Sequence, residues 1–92
     1  MIKTFRSNDT ETLFNRQRCP RFRNIENVAR RKLIMLNNAQ SIQDLRVPPG
    51  NQLEELSGRR QGQHSIRIND QWRVCFVWHG HDAYEVEIVD YH

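Results

Sequence analysis

Cysteines and long apolar runs are both scarce in this chain, and each shortage excludes something. Among 92 residues there are only two cysteines, Cys19 and Cys75, far apart and without C-x-x-C spacing. That pattern argues against a disulfide scaffold and a structural zinc site, so both are expected to be free thiols. Apolar runs reach only the length of Val74 to Trp78, against the ~20 residues that a membrane helix needs. The opening residues, Met1-Ile2-Lys3-Thr4-Phe5-Arg6, carry charge but lack the apolar stretch and cleavage site of a signal peptide. The sequence therefore reads as a cytoplasmic, unprocessed chain with no membrane partner. Neither a G-x-x-x-x-G-K pattern nor a nucleophile elbow occurs, so nucleotide hydrolysis and serine hydrolase chemistry have no support.

What is present fits one small domain over residues 1–92, with 14 Lys plus Arg against 11 Asp plus Glu and a net charge of +3. A chain of this size buries roughly 60–65% of its unfolded surface, so its core is thin and a protein partner can add to its stability. Chemistry is then expected in an open groove that uses few residues. With a pI near 9.3, the basic groups matter by where they cluster.

Helical patterns come first and strands follow. Ile2 to Arg6 alternates as a half-buried strand does. Asn8 with Glu11 resembles a capping box, and Leu13 and Phe14 give the short helix behind it an apolar side that ends before Cys19-Pro20. A second helix is predicted from near Asn24, because Ile25, Val28, Ala29, Leu33 and Leu36 recur at spacings of three and four. Its other face carries Arg30, Arg31 and Lys32, either a solvated surface or a contact for RNA backbone phosphates. One further helical turn fits Ser41 to Leu45, before Val47-Pro48-Pro49-Gly50-Asn51 interrupts it. Strand patterns then cover Leu53 to Leu56, His64 to Ile68, Trp72 to Trp78 and Tyr84 to Val89. Trp72 and Trp78 alternate with Val74 and Phe76 and read as packing residues. His79-Gly80-His81 looks like a metal pair but lacks a third ligand, so no metal site and no cofactor are expected.

The register of one hairpin can be counted. Asn69-Asp70-Gln71 suits a three-residue loop, which pairs Ile68 with Trp72. Arg67 then faces Arg73, and Ile66 faces Val74. Like charges directly opposite on a sheet cost some tenths of a kcal/mol, which a carboxylate or a bound anion offsets. Two guanidinium forks can hold the non-bridging oxygens of a phosphodiester. The alternative is that they line the rim and pair with Glu85 or Glu87. On the last strand, Tyr84, Val86 and Ile88 are expected on one face and Glu85 and Glu87 on the other. Asp90, Tyr91 and His92 follow, residue types that can orient or transfer protons and stack on a base, or else merely finish the strand.

These residues carry a resemblance. Leu56-Ser57-Gly58 with Gly62, Ser65-Ile66-Arg67-Ile68-Asn69, Gln71-Trp72-Arg73-Val74-Cys75-Phe76 and Glu87-Ile88-Val89-Asp90-Tyr91-His92 together resemble the HigB branch of the RelE-like bacterial toxins. The resemblance implies an α+β fold with two N-terminal helices packed on a mixed, mostly antiparallel four- to five-stranded sheet. It implies a metal-independent endoribonuclease that binds the ribosomal A site and cleaves messenger RNA by attack of a ribose 2′-hydroxyl. The implied partners are the ribosome and its mRNA, and a HigA-like helix-turn-helix antitoxin through which operator DNA is bound. Arg67 and Arg73 match basic positions of the wider family's site, and Asp90, Tyr91 and His92 match the HigB terminal motif. Arg73 with Arg67 would stabilise the phosphorane, His92 and Asp90 would move protons, and Tyr91 would stack on a base.

The chain departs from the pattern in one place. Some HigB members have a histidine and a lysine where this chain has Glu54 and Ser57. Glu54 or Glu55 then takes over as base, or Arg59, Arg60 and His64 supply the missing positive charge, or the toxin is weaker. Two other functions stay open: a non-catalytic RNA-binding module, and a subunit that only tunes the antitoxin's repression.

Overall fold

The computed structural model describes residues 1–91; His92, the last member of the terminal motif, lies outside them. Helix α1 spans Asn8–Phe14 and α2 spans Glu26–Asn38. Four strands follow: β1 at Glu54–Glu55, β2 at His64–Arg67, β3 at Trp72–His79 and β4 at Asp82–Asp90. They form one antiparallel sheet in the order β1-β2-β3-β4. The expected α+β class and the order of helices before a meander are both present. Among the described residues the sheet is antiparallel rather than mixed, and only one of the two helices is long.

The cap of α1 lies one residue earlier than the sequence pattern suggests. Ser7, in extended conformation, accepts from the Thr10 amide at 3.3 Å. Asp9 and Glu11 then sit in the first turn, where the helix dipole favours them. Before α2, Pro20–Ile25 winds as a tighter 3-10 turn with proline in its first positions, which buries Phe22 and Ile25 and delays the α-helix to Glu26. Ala29, Leu33 and Leu36 are fully buried, as their spacing predicts. Ser41 and Asp44 form a reciprocal capping box on the 3-10 turn Ile42–Arg46.

One face of the sheet packs on the helices through Ile66, Val74, Phe76, Val86 and Ile88, with Trp72 and Trp78 against its edge. Parity along β4 changes at one point. Cys75 pairs with Glu87 and Val77 with Tyr84, so Phe76 lies across from both Glu85 and Val86. This bulge, with Glu85 at φ 55°, reverses the alternation beyond it. Ala83 therefore enters the core, and Tyr84, expected there, pairs with Val77 on the other face.

The bulge also accounts for the N-terminal segment, which was expected to be a strand. Ile2 and Phe5 make only isolated parallel bridges to Ala83 and Val86. Between them the Glu85 amide donates to the Thr4 hydroxyl at 2.8 Å, so no continuous ladder forms.

Candidate active-site groove

The second face of the sheet carries the counted register: Arg67 pairs with Arg73 and Ile66 with Val74. Because cross-strand partners share a face, both guanidinium groups lie on the side away from the helices. Arg67, Arg73 and Tyr91, with Gln52, Asn69 and Asp70, line an open groove of about 320 Å³.

Arg73 is the anchored member of the pair, its side chain only 9% exposed. Its Nη1 donates to Glu54 Oε1 at 2.6 Å and its Nη2 to the Gln52 carbonyl at 2.5 Å. Gln52 adopts a left-handed conformation after the 3-10 turn Pro49–Asn51, which ends that turn before β1. Fully buried Asn51 supports the turn, donating to the Leu45 carbonyl at 3.1 Å and accepting from Lys32 Nζ at 2.6 Å. The Arg73 guanidinium carbon lies 5.8 Å from the Tyr91 ring centroid, a cation–π distance. The buried Arg73 Nε and Ser65 Oγ have no hydrogen-bond partner among the described residues.

Arg67 pairs with Asp70 of its own hairpin loop, an acid that is 99% exposed. Neither arginine therefore pairs with Glu85 or Glu87. Glu87 binds Arg60 at 3.0 Å and Arg6 at 3.8 Å. That hydrogen bond raises the Arg60 pKa still further above its ordinary value. Glu87's cross-strand partner is Cys75, whose thiol burial pushes up to about 11, so it stays protonated and unreactive near neutral pH.

The remaining sequence candidates separate. Tyr91 joins Arg73, but Asp90 pairs with Trp72 and so belongs to the opposite face. Its carboxylate accepts from the Gln71 side chain at 3.0 Å, while the Gln71 carbonyl accepts from the Tyr91 amide at 2.6 Å. His64 pairs with Phe76 and stacks on its ring at 6.2 Å, again on the core face and out of the groove. Arg59 is exposed in the 3-10 turn Gly58–Arg60. Arg30, Arg31 and Lys32 do not form one basic face, since consecutive helical residues point in different directions. Arg30 donates to the Leu13 carbonyl at 3.0 Å and pins α1, and Arg31 is exposed. Lys32 reaches the groove side, where burial first, then Arg31 and Arg67, lower its pKa.

The sequence reading overlooked a second basic groove. Arg21, Arg23 and Asn24 line about 440 Å³ with Asn69, Gln71 and Trp72, on the other side of the same hairpin loop. The Arg21 guanidinium lies 5.3 Å from the Phe22 ring and 6.0 Å from the Trp72 ring. The available signal was Arg16, Arg18, Arg21 and Arg23 in a stretch without an acid. Among the described residues no group of three or more His, Cys, Asp or Glu converges on a metal-binding position, and no helix is long and apolar enough to cross a membrane.

Comparison with known proteins gives these features a context. A stretch of 54 residues is 52% identical to Toxin HigB-1 of Vibrio cholerae, covering 59% of this chain and 57% of that protein. Another, of 60 residues, is 37% identical to an uncharacterized protein of Haemophilus influenzae, covering 65% of this chain and 59% of that one. The chain's matches thus span less than two thirds of the length of these relatives. The fold is shared with a chain of the heterotetrameric YoeB-YefM toxin-antitoxin complex of Staphylococcus aureus. That match has a TM-score of 0.58 and 14% identity and covers 100% of this chain and 98% of the other. The model of the RelE-like toxin of type II toxin-antitoxin system HigB matches residues 3–92, and the chain therefore belongs to the HigB-like toxin family.

Proposed function

We propose that this chain is a ribosome-dependent, metal-independent endoribonuclease that cleaves messenger RNA at the A site and is neutralised by a HigA-like antitoxin. The observation that carries this reading is the cross-strand pair Arg67 and Arg73, gathered in one groove with the Tyr91 ring and with the Glu54 carboxylate hydrogen-bonded to Arg73. Membership of a toxin family supports the same conclusion.

The reaction needs a base, a stabiliser of the phosphorane and an acid. Glu54 takes the proton of the 2′-hydroxyl; of the two glutamates that could replace the family histidine, it shares the face of Arg73, whereas Glu55 pairs with His64. The 2′-oxygen then attacks phosphorus, and Arg73 with Arg67 stabilises the charge on the non-bridging oxygens. The bond to the 5′-oxygen breaks, and that oxygen takes a proton from the terminal motif, where His92 is the group suited to neutral pH. Tyr91 stacks on a neighbouring base, and Asp90, held by Gln71, positions the terminus. Arg60, Lys32 and the second groove with Arg21 and Arg23 supply backbone contacts, while the ribosome supplies orientation of the codon.

The deciding experiment maps messenger 5′ ends on translating ribosomes with the wild-type chain, Arg73→Ala and a chain lacking Tyr91-His92. New ends at A-site codons that require ribosomes, Arg73 and the terminus are expected. RNA binding without new ends from any of the three would overturn the assignment in favour of a non-catalytic RNA-binding module.

A further inference from the structure

The two groove arginines are each covered by a carboxylate that is far more exposed than the arginine it pairs with. Arg73 is 9% exposed and its partner Glu54 is 49%; Arg67 is 32% exposed and its partner Asp70 is 99%. The cations are therefore held by the fold, through the Gln52 carbonyl and the Tyr91 ring in the case of Arg73. The anions hang from a two-residue strand and a hairpin loop tip. A carboxylate that leaves regains its hydration, whereas a guanidinium that lost its anion would stay buried and unpaired. Arg73 also keeps a buried Nε–H without an acceptor among the described residues, so carboxylate and carbonyl together do not satisfy it.

From this we infer that Glu54 and Asp70 are stand-ins for phosphate, and that RNA enters by an ion exchange in which a phosphodiester displaces both carboxylates from Arg73 and Arg67. The displaced carboxylates, already 49% and 99% exposed, turn out into water, where solvent and salt screen them from the incoming phosphate. The proposal rests on the nuclease reading only in taking RNA phosphate as the anion. It gives that reading an order of events: Glu54 is ion-paired in the free protein and is released to act as base when the phosphate arrives. Asp70 acts through Arg67 and is a positioning residue.

The test is binding of a short, fully 2′-O-methylated single-stranded RNA, followed by fluorescence anisotropy. Glu54→Gln and Asp70→Asn are each expected to bind about threefold to fivefold more tightly than wild type, the size of one partly exposed ion pair. The salt dependence should steepen by about 0.7 in log–log slope for each arginine freed. Both gains should vanish in the matching Arg73→Ala and Arg67→Ala backgrounds, and Glu55→Gln, with the same charge change on the other face, should show none. If Arg73→Ala does not fold, the more exposed Arg67–Asp70 cycle decides alone. Folded Glu54→Gln and Asp70→Asn proteins that bind no more tightly, or gains that persist without the arginines, overturn the exchange. Cleavage on programmed ribosomes is scored separately. A wild-type chain that passes the binding cycle but makes no new 5′ ends supports the exchange while removing the nuclease reading.

Discussion

Gln71 holds Asp90 by its side-chain amide at 3.0 Å, and its backbone carbonyl accepts from the next residue, Tyr91, at 2.6 Å. A hairpin loop residue thus fastens the end of β4, and with it the ring that lies over Arg73. Gln71→Ala should lower cleavage roughly tenfold or more by letting the terminus drift. Because Gln71 is exposed, stability should change by less than about 1 kcal/mol. Cleavage rates on programmed ribosomes and urea unfolding measure the two effects; equal losses in both would mean that the clamp is only structural.

Arg73→Lys keeps the charge but loses the planar fork that reaches Glu54, Gln52 and a phosphate together. Cleavage is expected to drop about 10²-fold, the scale of losing one preorganised donor to a developing oxyanion. Single-turnover cleavage of A-site codons would show it. Activity within a few fold of wild type would mean that a point charge suffices.

Asp44 gives the fold an acid-sensitive contact. Its carboxylate accepts from the backbone amides of Gln40 at 2.9 Å and Ser41 at 3.3 Å, which hold its pKa below the usual carboxylate range. With the folded pKa below the unfolded one, the stabilisation is complete above about pH 5 and is lost as pH falls through the unfolded and then the folded value. Urea unfolding from about pH 6 to about pH 3 should show a shallower acid decline for Asp44→Asn than for wild type. Parallel curves would contradict this.

Cys19 and Cys75 are buried at 3% and 0% exposure, and the Cys75 thiol is pushed up to about 11 by its burial. Neither should react with iodoacetamide in the native protein near neutral pH, and both should react once the chain is unfolded in guanidinium. Mass spectrometry of the alkylated chain reads this directly, and fast native labelling of Cys75 would show that the sheet opens around β3.

Leu36 is fully buried between α2 and the sheet. Leu36→Ala should cost about 2–5 kcal/mol, a large share of the roughly 5–10 kcal/mol available to a small domain. Thermal unfolding with and without a co-expressed antitoxin tests how much of that loss a partner makes good, and an unchanged midpoint would rule out Leu36 as a core residue.

Local and periodic information was legible in the residues themselves. Spacings of three and four marked the buried side of α2, and Ser41 to Leu45 read as one further helical turn, close to the observed Ile42–Arg46. Strict alternation about a three-residue loop placed Arg67 opposite Arg73. These features depend on neighbours in sequence, so helix and strand geometry alone carries them. The family likeness rested on the hairpin and the last strand, and three of the residues it singled out, Arg67, Arg73 and Tyr91, line one groove.

Tertiary structure decided everything that depends on parity after an irregularity or on contacts between distant segments. One extra residue at Glu85 moved Tyr84 out of the core and Ala83 into it, which no alternation pattern could foresee. Whether Asp90 or Tyr91 faced Arg73 depended on pairing across β3, since a strand offers its two faces equally until a partner fixes them. The choice of Glu54 over Glu55 as the acid beside Arg73 came from the pairing of β1 with β2. The residues supplied charges and periodicity by themselves, but which charges meet was decided only when packing assigned each strand a buried face.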